Sequence, residues 1–362
     1  MEQKSELPVI PVRDVRIGGP VQHAVEARVQ ARALRDDCLS FFHPAARYLI
    51  PALDGLTRRW LRRANTPYLA DIETIAATLG FPGVWFLNGS YEWGCTTHAR
   101  DLDAPWLLRT LDWPFPGLGR HLEIARMRGP AGEFYSATWP GFVGVLTAMA
   151  PGRFSVAINQ APLMRRTRHR YFRLVDVAAN AVATWSVRHV PPDQLLRQVL
   201  ETCATYEEAK ARLEATPVAR PVIFTLAGCK LGERCVIERT ETGFATRTEN
   251  TGAANDWIDP VEPWEARVAN ELLFTCDYLG ARANSRTRRE ALAAWDGAPG
   301  DSFAWVVPPV LNACTRIAAE MCAARGIMRI VGYELVDSMT VPQPVTQICE
   351  VVTPPAESRA VA

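Results

Sequence analysis

The chain has 362 residues, enough for one large α/β unit or for two domains, and carries 40 Lys and Arg against 39 Asp and Glu, a formal net charge of +1. That balance supplies no long-range field to hold a polyanion, so nucleic acid is not an expected partner. The start, Met1-Glu-Gln-Lys-Ser-Glu-Leu-Pro, is polar and lacks a signal-like apolar core. No run reaches the ~18 apolar residues that span a bilayer, so no transmembrane segment and a cytoplasmic location are expected. The 9 cysteines are odd in number and scattered without a Cys-x-x-Cys pair, which indicates neither a disulfide framework nor a zinc site.

In chain order, residues 21–80 predict helices. A stripe starting at His43 continues through Leu53, Leu56, Trp60 and Leu61, and the stretch from Ala70 stops on Gly80. Arg58, Arg59, Arg62 and Arg63 give the first of these a basic edge, open to a solvated-face or a membrane-surface reading. From Gly94 to Asn159 the pattern is that of strands, with a hairpin of 122–127 and 133–139 around Gly129-Pro-Ala-Gly132. Helices are predicted over 171–190 and 192–215, the second with Pro192 in its first turn. A second hairpin turns at Thr242-Gly243, helices are predicted near 264–280 and 286–296, and strands at 328–334 and 347–352. Helices, strands, helices and strands in that order suit an α+β fold of two sheets packed face to face with helices outside. The tail 354–362 has no packing pattern and reads as loose.

The chemistry concentrates at Gly94-Cys95-Thr96-Thr97 and, downstream, Arg109-x-x-Asp112. Cutting the Gly94–Cys95 bond would give Cys95 an α-amine of ordinary pKa near ~8 beside a thiol near ~8.5. Such a residue is a nucleophile with its own base near neutral pH. Gly94 permits the backbone conformation that an N-to-S acyl shift requires. His98 does not complete a Cys-His dyad, because residues three apart on a strand face opposite sides. By the same rule Arg109 and Asp112 would part, so a bend near Asp112 is expected, with Pro114 ending the strand. No histidine pair has ligand spacing, and neither metal nor cofactor is expected.

Three stretches, Asn88-Gly-Ser-Tyr91-Glu92-Trp-Gly-Cys95-Thr-Thr, Arg109-x-x-Asp112-Trp113 and Gly141 to Asn159, stand in an order that resembles the acid ceramidase and N-acylethanolamine acid amidase family. The likeness runs from about residue 69 to 162 and is weaker over 235–257 and 312–334. It implies the four-layer αββα sandwich of N-terminal-nucleophile (Ntn) hydrolases. It also implies an N-terminal helical segment 1–94 released by self-cleavage, a catalytic domain 95–353, and a heterodimer of the two fragments.

The resemblance implies roles as well. Cys95 is the cleavage residue and the nucleophile, Asp112 holds its α-amine, and Arg109 shapes the charge around thiolate and substrate. Asn159 and Asn255 are oxyanion donors, with Asn250 a competitor for the second place. One arginine of Arg286, Arg288 and Arg289 belongs to the site and is taken as Arg288, although Ser285 as a helix cap explains the same stretch. Tyr91 and Glu92 support the scissile bond. Phe142, Val145 and Met149 either line a lipid-like acyl pocket or pack as core. The expected reaction is hydrolysis of an N-acylated small molecule, a fatty-acid amide or ceramide-like substrate, through a thioester. An acyltransferase resembling the isopenicillin acyltransferase relatives and a non-catalytic binding protein with the same fold are the alternatives. Familiar family members are secreted or lysosomal, which the polar start does not match.

Overall fold

The structure is a computed structural model that describes residues 6–90, 94–167, 173–267, 278–336 and 339–353. Tyr91, Glu92, Trp93 and the tail 354–362 lie outside the described residues. The chain begins with β1 (Val12–Asp14), α1 (Gly19–Glu26), α2 (Arg28–Ser40), a 3-10 helix over Pro44–Leu49, α3 (Ile50–Arg63), α4 (Leu69–Leu79) and α5 (Val84–Gly89). Helix α4 stops as expected at Gly80, whose φ of 67° is a left-handed conformation that glycine enters at little cost. The stripe on α3 is narrower than expected: Ile50, Trp60 and Leu61 are buried, but Leu56 is exposed.

Strands follow as β2 (Gly94–Asp101), β3 (Pro105–Asp112), β4 (Glu123–Gly129), β5 (Gly132–Thr138), β6 (Thr147–Ala150), β7 (Phe154–Gln160) and β8 (Leu163–Met164). The first predicted hairpin is β4 and β5, paired from Glu123↔Thr138 to Gly129↔Gly132. Next come α6 (Arg173–Ser186), α7 (Pro192–Thr202) and α8 (Tyr206–Ala215). The single helix expected over 192–215 is therefore two. Thr205 accepts from the Glu208 amide while the Glu208 carboxylate accepts from the Ala204 amide, a reciprocal cap that starts a new helix.

The remainder comprises β9 (Val222–Ala227), β10 (Arg234–Arg239), β11 (Phe244–Arg247), β12 (Gly252–Ala253), β13 (Trp264–Glu265), α9 (Tyr278–Ala294), β14 (Thr315–Cys322), β15 (Ile327–Glu334), β16 (Gln343–Pro344) and β17 (Cys349–Val352). The helix expected near 264–280 begins instead with β13, and 268–277 lies outside the described residues. The helix expected at 286–296 is the latter part of α9, so Ser285 sits inside a helix and not at its cap.

Eight strands form one sheet in the order β1-β4-β5-β6-β7-β9-β10-β11, and a second runs β12-β2-β3-β14-β15-β16 with β17 also on β15. Strands β2 and β3 contact β7 and β9, and β14 contacts β6 and β7, so the sheets face one another. Helices α7 and α8 cover the outside of the first sheet and α9 covers β2 and β12 of the second. The result is an α+β sandwich of four layers. Its largest core cluster includes Leu107, Leu111, Phe134, Phe154, Val156 and Phe224, each worth about 1.5–3 kcal/mol once buried.

Residues 1–94 supply more than helices. Strand β1 joins the first sheet parallel to β4, Arg13 pairs with Glu123 at 3.0 Å, and the buried His23 ring stands 2.7 Å from the same carboxylate.

Candidate active site

Strand register places Cys95. In the β2–β3 pair, Cys95 lies opposite Leu111 and Thr97 opposite Arg109, while Gly94 lies opposite Asp112 and Thr96 opposite Thr110. Since alternate residues share a face, Cys95 and Arg109 point between the sheets and Asp112 points outward toward α9. Contacts agree with this parity. Arg109 Nη2 donates to Cys95 Sγ at 3.1 Å and to the Ile158 carbonyl at 3.1 Å, and Nη1 donates to Thr147 Oγ1 at 2.7 Å. On the outer face, Asp112 accepts from Asn312 Nδ2 at 2.8 Å and Thr315 Oγ1 at 2.9 Å.

The bend expected near Asp112 is absent. Strand β3 stays paired through Asp112, and the irregularity falls in its other neighbour, between Thr315 and Ile317 of β14. Arg109 reaches the Cys95 sulfur from the inner face, while on the outer face Asp112 stands beside Arg288, which holds the Cys95 carbonyl, and the Cys95 nitrogen donates to Asn255 and not to Asp112.

Arg288 closes the outer face. Of the three competing arginines, Arg286 is exposed beside Glu290 and Arg289 pairs with Asp256. Arg288 is buried: Nη1 donates to the Cys95 carbonyl at 2.6 Å and to Thr96 Oγ1 at 2.7 Å, and Nη2 donates to Asn255 Oδ1 at 3.0 Å. Its guanidinium also stands 3.5 Å from Asp112 Oδ2, and Asn284 Oδ1 accepts from its Nε.

The two asparagines are placed at the site, each with its amide held by backbone groups. Asn159 Nδ2 donates to the Ala253 and Ala254 carbonyls at 3.3 and 3.1 Å and to Thr97 Oγ1 at 3.3 Å. Backbone carbonyls only accept, which fixes which end of the amide is nitrogen. Its buried Oδ1 is left without a partner. Asn255 Oδ1 accepts from the Cys95 backbone nitrogen at 3.0 Å, and its Nδ2 donates to the Gln160 carbonyl at 2.9 Å. Asn159 Nδ2 thus has three acceptors for its two N–H groups, whereas Asn255 Nδ2 has one acceptor and keeps a second N–H. The rival Asn250 lies on the surface near Arg247.

The acyl-pocket expectation also needs correction. Phe142 and Val145, in the loop before β6, and Met149 on β6 are all packed into the core. An apolar cavity of about 80 Å³ lies among Leu34, Leu79, Phe86, Leu87, Trp113 and Phe115. Its walls come from the N-terminal helices, the loop directly after Asp112, and Pro140 and Gly141.

Electrostatically, burial pushes the Cys95 thiol up to about 11, with Asp112 adding to the rise and Arg109 and Arg288 opposing it. The thiol of the uncut chain is protonated near neutrality. Burial likewise lowers Arg109. His98 lies outside this network, its ring pushed down to about 4 by burial and by Arg100, Arg234 and Arg247. Thr147, Asn284, Asn312 and Thr315 were not singled out in the sequence. Asn312 begins a stretch of weaker family likeness, the only signal that could have found it. Among the described residues no His, Cys, Asp and Glu cluster is placed to hold a metal, and no helix is long and apolar enough to cross a membrane.

No protein-family model matches the chain. Acid ceramidase of Balaenoptera acutorostrata scammoni is 34% identical over 195 residues, 48% of this chain and 47% of that protein. The N-acylethanolamine-hydrolyzing acid amidase of Oryctolagus cuniculus is 30% identical over 139 residues, 38% of this chain and 36% of that protein. The chain thus spans about half the length, or less, of these relatives. Among solved structures, a Caenorhabditis elegans ortholog of that amidase aligns at 19% identity with a TM-score of 0.47, over 64% of this chain and 93% of that one. A mutant conjugated bile acid hydrolase from Clostridium perfringens aligns at 11% identity with a TM-score of 0.40, over 74% and 100%. Over the matched segment, this chain is related in sequence to the acid ceramidase and N-acylethanolamine acid amidase family.

Proposed function

We propose that the chain is a self-processing cysteine amidohydrolase that cleaves the amide of N-acylated small molecules. One observation carries the reading: a buried cysteine at the start of a strand has one arginine on its sulfur and another on its carbonyl, with Asp112 beyond. A structural thiol has no use for two buried guanidiniums, which cost free energy to desolvate.

The first turnover would act on the chain itself. Cys95 Sγ attacks the Gly94 carbonyl carbon, the Gly94–Cys95 C–N bond breaks, and the released nitrogen keeps the thiol proton. Water then hydrolyses the thioester, leaving a Gly94 carboxylate, a free thiol and an α-amine. That amine stands where the backbone nitrogen is now held, 3.0 Å from Asn255 Oδ1, so Asn255 Oδ1 accepts from it. On substrate, the amine takes the thiol proton, the thiolate forms the acyl thioester, and the proton passes to the leaving amine before water deacylates. Arg109 lies on the thiolate that forms. The apolar cavity beside Trp113 suits an acyl chain.

The test is release of fatty acid from N-acyl amides by the purified chain, together with its intact mass. Activity accompanied by fragments ending at Gly94 and starting at Cys95 supports the reading. An active, uncut chain whose Cys95→Ala variant is equally active overturns it.

A further inference from the structure

Arg109 is fully buried between the sheets. Among the described residues its guanidinium donates to Cys95 Sγ, the Ile158 carbonyl and Thr147 Oγ1, and its Nε has no partner. No carboxylate is among these acceptors, so the cation is held by two neutral oxygens and the sulfur. The contacts divide unevenly. Nη2 is shared between Sγ and the Ile158 carbonyl, each at 3.1 Å, and the thiol donates to that same carbonyl at 3.5 Å. Nη1 has one acceptor, Thr147 Oγ1, and at 2.7 Å this is the shortest contact the guanidinium makes. Thr147 is buried on β6 opposite Ala157 of β7, and the Ile158 amide donates to the Leu146 carbonyl at 3.0 Å. The first sheet thus presents a hydroxyl and a carbonyl from neighbouring strands to a cation carried on β3 of the second sheet. A thiol that loses its proton can no longer donate to Ile158, and its remaining donor is Nη2. Because a guanidinium is rigid and planar, fixing Nη1 fixes where Nη2 stands.

We propose that Thr147 is a positioning residue: by holding Arg109 Nη1 it keeps Nη2 on the Cys95 sulfur and so favours the thiolate. The use made of that thiolate rests on the amidohydrolase reading above, whereas the clamp itself does not. Valine at this position is close to threonine in shape but lacks the hydroxyl. In Thr147→Val, Nη1 is left without an acceptor in a buried site, which is costly for a charged donor, and the guanidinium turns to find one, taking Nη2 with it.

The test is the pH dependence of Cys95 alkylation by iodoacetamide in the full-length chain, since the thiolate is the reacting form. Peptide mass follows Cys95 alone, and peptides that start at Cys95 are read separately from those that span Gly94–Cys95, so species of the same cleavage state are compared. Thr147→Val is expected to displace the profile to higher pH, with alkylation at neutral pH about tenfold slower, the worth of one hydrogen bond to a charged group. Thr147→Ser, which keeps the hydroxyl, should follow the native profile. A merely structural threonine would change the melting temperature and scale the alkylation rate alike at every pH. Native and Thr147→Val profiles that coincide in pH overturn the proposal, as does a Thr147→Ser profile displaced as far as that of Thr147→Val. Should Thr147→Val fail to fold, Thr147→Ala gives the same comparison. Assay of the native chain on an N-acyl amide separates the two claims. Displaced profiles in a chain that cleaves no amide sink the hydrolase reading and leave the clamp standing, whereas amide cleavage with coincident profiles sinks the clamp alone.

Discussion

Replacing Arg288 by methionine removes a buried cation that serves four acceptors at once: the Cys95 carbonyl, Thr96, Asn255 and Asn284. It also strips Asp112 of its 3.5 Å partner while that carboxylate stays buried. Breaking one side of a buried pair costs about 3–5 kcal/mol, because the other charge is left uncompensated. Two residues earlier on the same helix, Arg286 forms an ion pair with Glu290 in which both side chains are more than half exposed, worth ~0.5 kcal/mol at most. Arg286→Met is therefore the matched control. Both substitutions belong in the Cys95→Ala chain, which on the proposed mechanism is expected to stay whole and so to keep unfolding free of self-cleavage. Urea unfolding followed by tryptophan fluorescence should lower the Arg288→Met midpoint by roughly 1 M or more, taking a slope of about 1–3 kcal/mol per M, and leave Arg286→Met within error. Equal losses in the two variants would refute the convergence of Arg288 on the Cys95 strand.

Two further outcomes are expected. Because burial holds His98 at about 4 against an ordinary 6.5, the unfolded chain binds a proton that the folded chain refuses between those values. Stability contributed by neutral His98 is present above pH 6.5 and falls as pH drops through the window, by about 3 kcal/mol; His98→Gln should flatten that part of the profile, and parallel profiles would count against the burial argument. In a homologous series of N-acyl amides, each buried methylene should add up to ~0.8 kcal/mol until the apolar cavity is full. Leu34→Trp should move the optimum to shorter chains, whereas Met149→Leu, a core exchange, should leave chain-length preference alone; the reverse result would return the pocket to the 142–149 stretch.

How far the sequence can be read depends on how local the signal is. Gly80 and the Gly129–Gly132 turn mark their elements by backbone chemistry that any context preserves. Cys95, Arg109 and Asp112 stood out by residue type and spacing, and Arg288 was taken on the family resemblance among three arginines; the fold brings Arg109 and Arg288 onto Cys95 and Asp112 beside Arg288. The orientation of Asn159 and Asn255 was not legible: it is set by the Ala253, Ala254 and Gln160 carbonyls, partners up to 95 residues away. Nor was the straightness of β3, since parity predicts two faces but not that both faces reach one cysteine. Phe142, Val145 and Met149 read equally well as pocket or core, because apolar type alone does not say whether a buried side chain borders a cavity or packs against its neighbours. Asn312 and Thr315 escaped notice because a carboxylate's supports are named only once its neighbours are known.

The claim on which the rest depends is that Cys95 carries the acyl group. Acid-quenched protein, mixed with an N-acyl amide in excess and mapped by peptide mass, tests it most directly. The account predicts a base-labile acyl adduct on a peptide whose first residue is Cys95, lost in Cys95→Ala along with turnover. Continued turnover with no adduct at Cys95, and undiminished in Cys95→Ala, would contradict it.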